Sequence, residues 1–284
     1  VTVDTVTQDV HFSLDFTPWA DLGWKALAVN LSDIAAMGGT PRYALVALAL
    51  PGKTEADDVL ALYGGMLALA GQHGVTVVGG NVSRAPSVSL TVTVTGVLEN
   101  DRNVLRRSAA RPGDKIAVTG CLGGAAAGLR LLREGRQITG EADAALRQAF
   151  LRPVPRVAEG QMLARQGVAA AIDISDGLAA DLGHVCRASR VSATIRAEDL
   201  PVCPGVRENF AEAATALALG GGEDYELLFT ASDAVIEKVA KAAGCPVTVI
   251  GEIGEGDLGT VRVVDGSGKD IPLPEKGWEH FRSP

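Results

Sequence analysis

The stretch AIDISDGLAADLGH, residues 171–184, decides how the rest of the chain is read. Its apolar start reads as the end of a buried strand, and GLAADLGHVCRAS reads as a helix. In a strand, side chains alternate between faces, so Asp173 and Ser175 share one. Asp176 and Gly177 then begin the turn into the helix. Two carboxylates and a hydroxyl thereby crowd one strand end, a suitable cage for Mg2+ or for Mg2+ bound to a phosphate. The plain alternative is Asp176 as an ordinary helix N-cap, and this stretch alone leaves both open.

Three further acidic groups lie beside apolar runs in the same way. They are Asp4 in VTVDTVTQDVHF (1–12), Asp33 in NLSDIAAMGG (30–39), and Glu223 with Asp224 in GGEDYELLF (221–229). Carboxylates at the ends of buried elements are costly unless a cation or hydrogen-bond donors satisfy them. Several hard carboxylates with small neighbours point to a Mg2+ and polyphosphate site. Asn30 and Asp33, three apart, share a helical face, and Asp33 is expected to be half-buried among Leu31, Ile34, Ala35 and Ala36. Gly79, Gly80 and Asn81 follow the strand-like VTVV, where glycines let backbone N–H groups approach a phosphate.

The surrounding pattern alternates strand and helix. VTVDTVT is a strand. Residues 19–36 form a helix by the near-3.6 spacing of Leu22, Ala26, Val29 and Ile34, stopped by Gly38 and Gly39 with Pro41 following. YALVALAL (43–50) is a strand, and a helix from Glu55 has Thr54 as N-cap and Gly74 as its end. SVSLTVTVTGVL (87–98) alternates strictly and predicts a half-exposed strand. The polar ENDRNVLRRSAARPGDK places a domain boundary near residue 110, giving units 1–110 and 111–284. The second unit opens with the strand IAVTG. Helices near 124–133, 142–150, 155–165 and 234–243 follow, with strands at AAAIDI, ELLFTA, PVTVIG and TVRVVD. The class is α/β, shading into α+β.

With 284 residues, 47% hydrophobic and 21% charged, the chain can bury a large core. A net charge of −8 argues against a nucleic-acid or anionic-membrane surface. No apolar run reaches the ~18 residues of a membrane span. Cys121, Cys186, Cys203 and Cys245 are far apart in sequence and form no C-x-x-C, so reduced thiols in a cytoplasmic protein are expected. The opening at Val1, already inside a strand-like run, suggests a missing N-terminal piece.

Three tempting motifs fail on spacing. PGKT (51–54) follows a strand and opens a helix, but a phosphate-binding P-loop needs glycine where Ala47 stands. Gly120, Gly123 and Gly124 do not make G-x-G-x-x-G. His11, His73, His184 and His280 lack metal-ligand spacing with cysteine, and no G-x-S-x-G is present.

Taken together, Asp4 to Phe12, KALAVNLSDIAAMG (25–38), VVGGN (77–81), RSAARPGDKIAVTG (107–120), AIDISDGLAADLGH, GGEDYELLF and KGWEHF (276–281) closely resemble the thiamine-monophosphate kinases. These belong to the superfamily of aminoimidazole ribonucleotide synthetase and selenophosphate synthetase. The resemblance spans essentially the whole chain. It implies direct in-line transfer of phosphate from ATP to thiamine monophosphate, giving thiamine diphosphate. By the same resemblance, Thr2, Asp4, Asp33, Asp173 and Asp176 match Mg2+ ligands, and Asp33, Asp173 and Asp176 are the catalytic set. Gly80, Arg107 and Ser175 match ATP contacts. His11, Glu223 and Trp278 match groups around the thiamine phosphate. Asn81, counted with the ATP and metal residues, stands where the family carries Asp, and Val3 stands where it usually has Thr. The family's upstream Gly-Asp-Asp segment has no match here. The implied architecture has two α/β domains, with the N-terminal one contributing to a homodimeric β-barrel. Competing readings are a ligase of the aminoimidazole ribonucleotide synthetase kind and a non-catalytic nucleotide binder.

Overall fold

The computed structural model describes residues 1–99, 104–256 and 258–273. One helix, α1 (Trp19–Ala36), organises it. Most of its residues are buried, including Lys25, Asn30 and Ser32, because other elements pack on it from several sides. These are β1 (Thr2–Thr7), α2 (Ala56–His73), β4 (Ser89–Val97), α5 (Val157–Gln166) and β6 (Ala170–Asp173). Polar side chains on a helix so enclosed must find partners within the protein. A helix with one wet face would not carry this constraint. The helix ends where expected: Gly38 takes a positive φ of 72°, and the N–H groups of Gly38 and Gly39 close on Ala35 and Ile34.

The first sheet has the order β1-β4-β2-β3, with β2 at Thr40–Leu50 and β3 at Thr76–Arg84. β4 pairs antiparallel with both β1 and β2, and β3 runs parallel to β2. As the alternation in SVSLTVTVT predicts, Leu90, Val92 and Val94 are buried while Ser89, Thr91 and Thr93 reach solvent. The other side of β2 and β3 keeps apolar groups exposed, among them Tyr43, Leu45, Val78 and Val82.

The second sheet runs β11-β10-β7-β9-β5-β8-β6. Its strands are β5 (Lys115–Thr119), β6, β7 (Ser192–Arg196), β8 (Leu227–Ala231), β9 (Val247–Gly254), β10 (Val261–Val264) and β11 (Asp270–Ile271). The remaining helices are α3 (Gly124–Arg133), α4 (Glu141–Leu151), α6 (Leu178–Ser189), α7 (Pro204–Phe210), α8 (Ala214–Gly220) and α9 (Asp233–Ala242). The largest apolar cluster runs from Leu90 and Leu27 through Leu163 to Phe229 and Val239, so the two sheets share core. At the helix crossing between the halves, a side chain on Gly160 would meet the Ala35 carbonyl oxygen at 2.0 Å. Only glycine permits that approach of α5 to α1.

Two expectations are corrected here. α2 starts at Ala56 with Glu55 as its N-cap and no side-chain cap, so Thr54 does not cap it. The cysteines are not all reduced thiols: Cys121 and Cys203 form a disulfide across 82 residues of sequence. The turn after β5 and the approach to α7 bring them together, a contact that spacing along the chain does not reveal. Cys186 and Cys245 are free. Among the described residues, no helix is long and apolar enough to cross a membrane.

Candidate active site

Four carboxylates converge where β1, α1 and the end of β6 meet. The backbone N–H of Asp4 donates to Asn30 Oδ1 at 3.1 Å, and Asn30 Nδ2 donates one turn back to the Ala26 carbonyl at 3.0 Å. The Thr2 hydroxyl donates to the Asp33 carboxylate. From the buried side of α1, the Ser32 hydroxyl donates to Asp173 Oδ2 at 2.7 Å. One helical segment thus ties β1 to β6 and sets Asp33 between them. Loss of surrounding water raises Asp4 to about 6, although its side chain still reaches solvent, and the charges of Asp33 and Asp176 push the same way. Burial raises Asp173 to about 7, again with Asp33 pushing it up. Like charges raise one another's pKa in this way only at close range. Hard oxygen donors under mutual repulsion suit a divalent cation such as Mg2+.

The turn that delivers Ser175 and Asp176 is built by a residue the sequence reading passed over. Asp181 Oδ2 accepts the backbone N–H groups of Ser175, Asp176 and Gly177 at 3.0, 3.0 and 3.2 Å. The N-cap of α6 is Gly177, with no side-chain cap. This removes the reading of Asp176 as an ordinary cap and leaves its carboxylate beside the cluster. Asp181 is raised to about 8 by burial first, then by Asp176 and Asp173. Oxygens of Asp176 and Asp181 and a nitrogen of His184 also lie within 4.8 Å of one another. Asp181 Oδ2 is committed to the turn, however, and His184 Nδ1 faces Arg187 at 3.1 Å.

The 221–226 segment docks on the same turn. The Glu223 N–H donates to the Ser175 carbonyl and the Tyr225 N–H to that of Ile174, at 2.8 and 2.9 Å. Glu223 and Tyr225 both hold positive φ, 69° and 50°, a conformation that side chains disfavour and that gathers at functional sites. Glu223 meets the ammonium of Lys25. Tyr225 is buried amid Glu223, Asp173, Asp4 and Asp176, and its hydroxyl is pushed well up, by burial foremost. Asp224 turns the other way. It accepts the N–H groups of Gly123 and Ala125 at 2.7 and 3.2 Å and so holds the start of α3. Glu226 is gripped by the Arg156 guanidinium at 2.7 and 2.6 Å.

The remaining expected site residues are placed less closely. Arg107 is near enough for its charge to lower Asp173. His11 sits in the turn after β1, its Nδ1 accepting the Thr7 N–H at 3.0 Å. Gly80 and Asn81 lie on β3, three strands from β1, about 14 Å at the usual strand spacing. Within a single chain Asn81 is therefore set apart from Thr2 and Asp4 on β1. At Gly80 a side chain would strike the Val46 carbonyl at 1.8 Å. Trp278 lies outside the described residues.

The chain matches the family descriptions "AIR synthase related protein, N-terminal domain" over residues 1–98 and "AIR synthase related protein, C-terminal domain" over residues 111–264. It is 40% identical to the thiamine-monophosphate kinase of Salmonella typhimurium strain LT2, covering 100% of this chain and 87% of that one. It is also 40% identical to that of Bacillus subtilis strain 168, with 99% and 88% covered. The chain belongs to the thiamine-monophosphate kinase family. A solved structure, AaThiL complexed with AMPPCP and TMP, superposes with a TM-score of 0.88 at 35% identity, covering 99% of this chain and 86% of that one.

Within a thiamine-monophosphate kinase framework, Thr2, Asp4, Asp33, Asp173 and Asp176 are residues the sequence named and the fold gathers. Lys25, Asp181 and Tyr225 are those it missed. Lys25 left one signal, a lone cation inside the apolar run of α1.

Proposed function

We propose that this chain transfers the terminal phosphoryl group of ATP to thiamine monophosphate, giving ADP and thiamine diphosphate. The observation that carries the reading is the convergence of Thr2, Asp4, Asp33, Asp173 and Asp176 from three separate elements. Both reactants are phosphates, so their mutual repulsion is the main obstacle. Mg2+ held by these residues would neutralise the phosphate oxygens and polarise the transferred group. The chain's own task is then positioning. The Asp181-built turn fixes Ser175 and Asp176, and Arg107 adds positive charge near the cluster. Gly80 on β3, packed against Val46, reaches ATP only if a second copy brings β3 to the cluster. His11, Glu223 and Trp278 take the acceptor. We assign no side chain as a phosphorylated intermediate and read the transfer as direct and in line.

We further propose units 1–110 and 111–284, a cytoplasmic location, and a homodimer. Among the described residues, the four-stranded sheet has β1 and β3 as its outer strands and an exposed apolar face, as a sheet completed by a second copy into a barrel would have. Sedimentation should give a dimer, and Val78→Lys with Val82→Lys should shift it to monomer. A wild-type monomer at micromolar concentration would remove the barrel.

The direct test is ADP release with ATP, Mg2+ and thiamine monophosphate, identifying thiamine diphosphate as product. ADP and thiamine diphosphate should appear in equal amounts. ATP binding without product would turn the reading to a nucleotide binder.

A further inference from the structure

Lys25 is among the largest fully buried side chains of the described residues, and the mechanism above gives it nothing to do. Its ammonium lies 3.0 Å from each carboxylate oxygen of Glu223. It also stands 3.5 Å from the centre of the Phe150 ring, a cation–π contact that closes its other side. The two partners differ in exposure: the Lys25 side chain is 1% exposed and that of Glu223 is 23%. The cation is thus sealed inside α1 while the carboxylate still faces outward. The Glu223 backbone is equally constrained. Its N–H is held by the Ser175 carbonyl, and Asp224 next to it is anchored at α3.

A buried ion pair costs much of what it gains, and an apolar pair of similar size would serve the core as well. A role beyond packing explains its presence better. Each Glu223 oxygen gives one lone pair to Lys25 and keeps one for the open side. The pair is neutral overall, so a cation approaching Glu223 also meets the lysine charge behind it. A neutral N–H donor meets only the accepting oxygen. Thiamine offers both features, an amine on its pyrimidine and a positive charge on its thiazolium.

We propose that Lys25 is a positioning residue that clamps and neutralises Glu223, so that Glu223 selects the acceptor's pyrimidine amine rather than its thiazolium charge. The inference rests on the acceptor site proposed above. It differs from that proposal in assigning Glu223 one of two chemistries and in naming the residue that decides between them.

The test compares kcat/KM for three acceptors at saturating ATP and Mg2+. The acceptors are thiamine monophosphate, its analogue with a carbonyl oxygen in place of the pyrimidine amine, and its analogue with an uncharged ring in place of the thiazolium. In the wild type, the carbonyl analogue should lose about 10- to 100-fold, the effect of one hydrogen bond to a charged group, and the uncharged-ring analogue less than about threefold. In Lys25→Met the preference should invert. Selection for the amine should fall about tenfold, and selection for the charged ring should rise by a similar factor, with KM for ATP unchanged within about twofold. These ratios do not depend on how much enzyme is folded, so a purely structural role would not move them. If Lys25→Met does not fold, Lys25→Gln, which still donates to Glu223 without charge, carries the same comparison.

Wild-type ratios retained in both Lys25 variants, while Glu223→Gln changes them, would overturn the proposal and leave Lys25 a core residue. Wild-type ratios retained in Glu223→Gln as well would overturn the placement of Glu223 at the acceptor. No thiamine diphosphate from the wild type would overturn the proposed function itself.

Discussion

At the scale of single residues, the site works by forcing carboxylates together and giving each a different partner. Asp33 holds the Thr2 hydroxyl and Asp173 the Ser32 hydroxyl, while Asp4 is held through its own backbone by Asn30. Fixing the oxygens in this way leaves them poised for a cation at the expense of the fold's own stability. Asp33→Asn and Asp173→Asn should therefore each lower kcat by about 10²–10³-fold, the usual cost of losing one preorganised electrostatic contact. Asp173→Asn should also raise the melting temperature of the metal-free protein, because a buried charge under repulsion has been removed. Near-normal turnover of both variants at low Mg2+ would refute the assigned roles. A lower melting temperature for metal-free Asp173→Asn would show that the charge is satisfied without metal. Asn81 is a separate case. It lies on the far edge of its sheet, so Asn81→Asp should lower the Mg2+ requirement only if a second subunit carries β3 to the cluster. An unchanged Mg2+ titration in a proven dimer would rule that position out as a ligand.

At the scale of elements, the turn between β6 and α6 is held by a single carboxylate oxygen. Three backbone N–H groups converge on Asp181 Oδ2, and Asp181→Ala would leave them without a partner at a cost of about 1–3 kcal/mol each. Asp181→Asn keeps an oxygen at that point. It should retain the fold and most ATP affinity, whereas Asp181→Ala should melt earlier and bind ATP more weakly. Equal behaviour of the two variants would mean that the oxygen is not what shapes the turn. This element also shows what a sequence discloses. Asp173 and Asp176 were legible because a buried strand end and a glycine turn place them, whereas Ser175 stands in the turn and not on the strand face, since β6 ends at Asp173. Asp181 was hidden because a carboxylate in the first turn of a helix is unremarkable until the turn before it is seen to fold back. α1 was legible to the residue, since its apolar spacing and Gly38 are local features. Lys25 was not, because Glu223 and Phe150 arrive from the other half of the chain. β7 went unread because SATIR is short and stands amid polar residues. The Cys121–Cys203 bond was misread because loop packing, not spacing, brings the two together.

At the scale of the whole molecule, the acidic cluster sits where the two sheets share core, so its charge state bears on global stability. Asp4, Asp173 and Asp181 are raised to about 6, 7 and 8, whereas an unfolded chain releases these protons near 4. Between those limits the folded, metal-free protein binds more protons than the unfolded chain, and stability falls as pH rises. His73 and His184, both lowered mainly by burial, act in the opposite direction, but only around and below their ordinary 6.5. The window from about pH 6.5 to 8 therefore leaves the histidines largely behind, although Lys25, lowered by burial, still opposes the carboxylates there. In chelator, the melting temperature should fall across that window. Asp224, raised to about 7 by burial at the start of α3, contributes to the same fall but does not border the cluster. Saturating Mg2+ should therefore remove the share of Asp4 and Asp173, while Asp181 and Asp224, both raised by burial first, keep the rest, and Asp224→Asn should lower that remainder. A metal-free melting temperature that stays level or rises from pH 6.5 to 8 would mean the carboxylates are already satisfied by the fold. The reason to place a cation among them would then be gone.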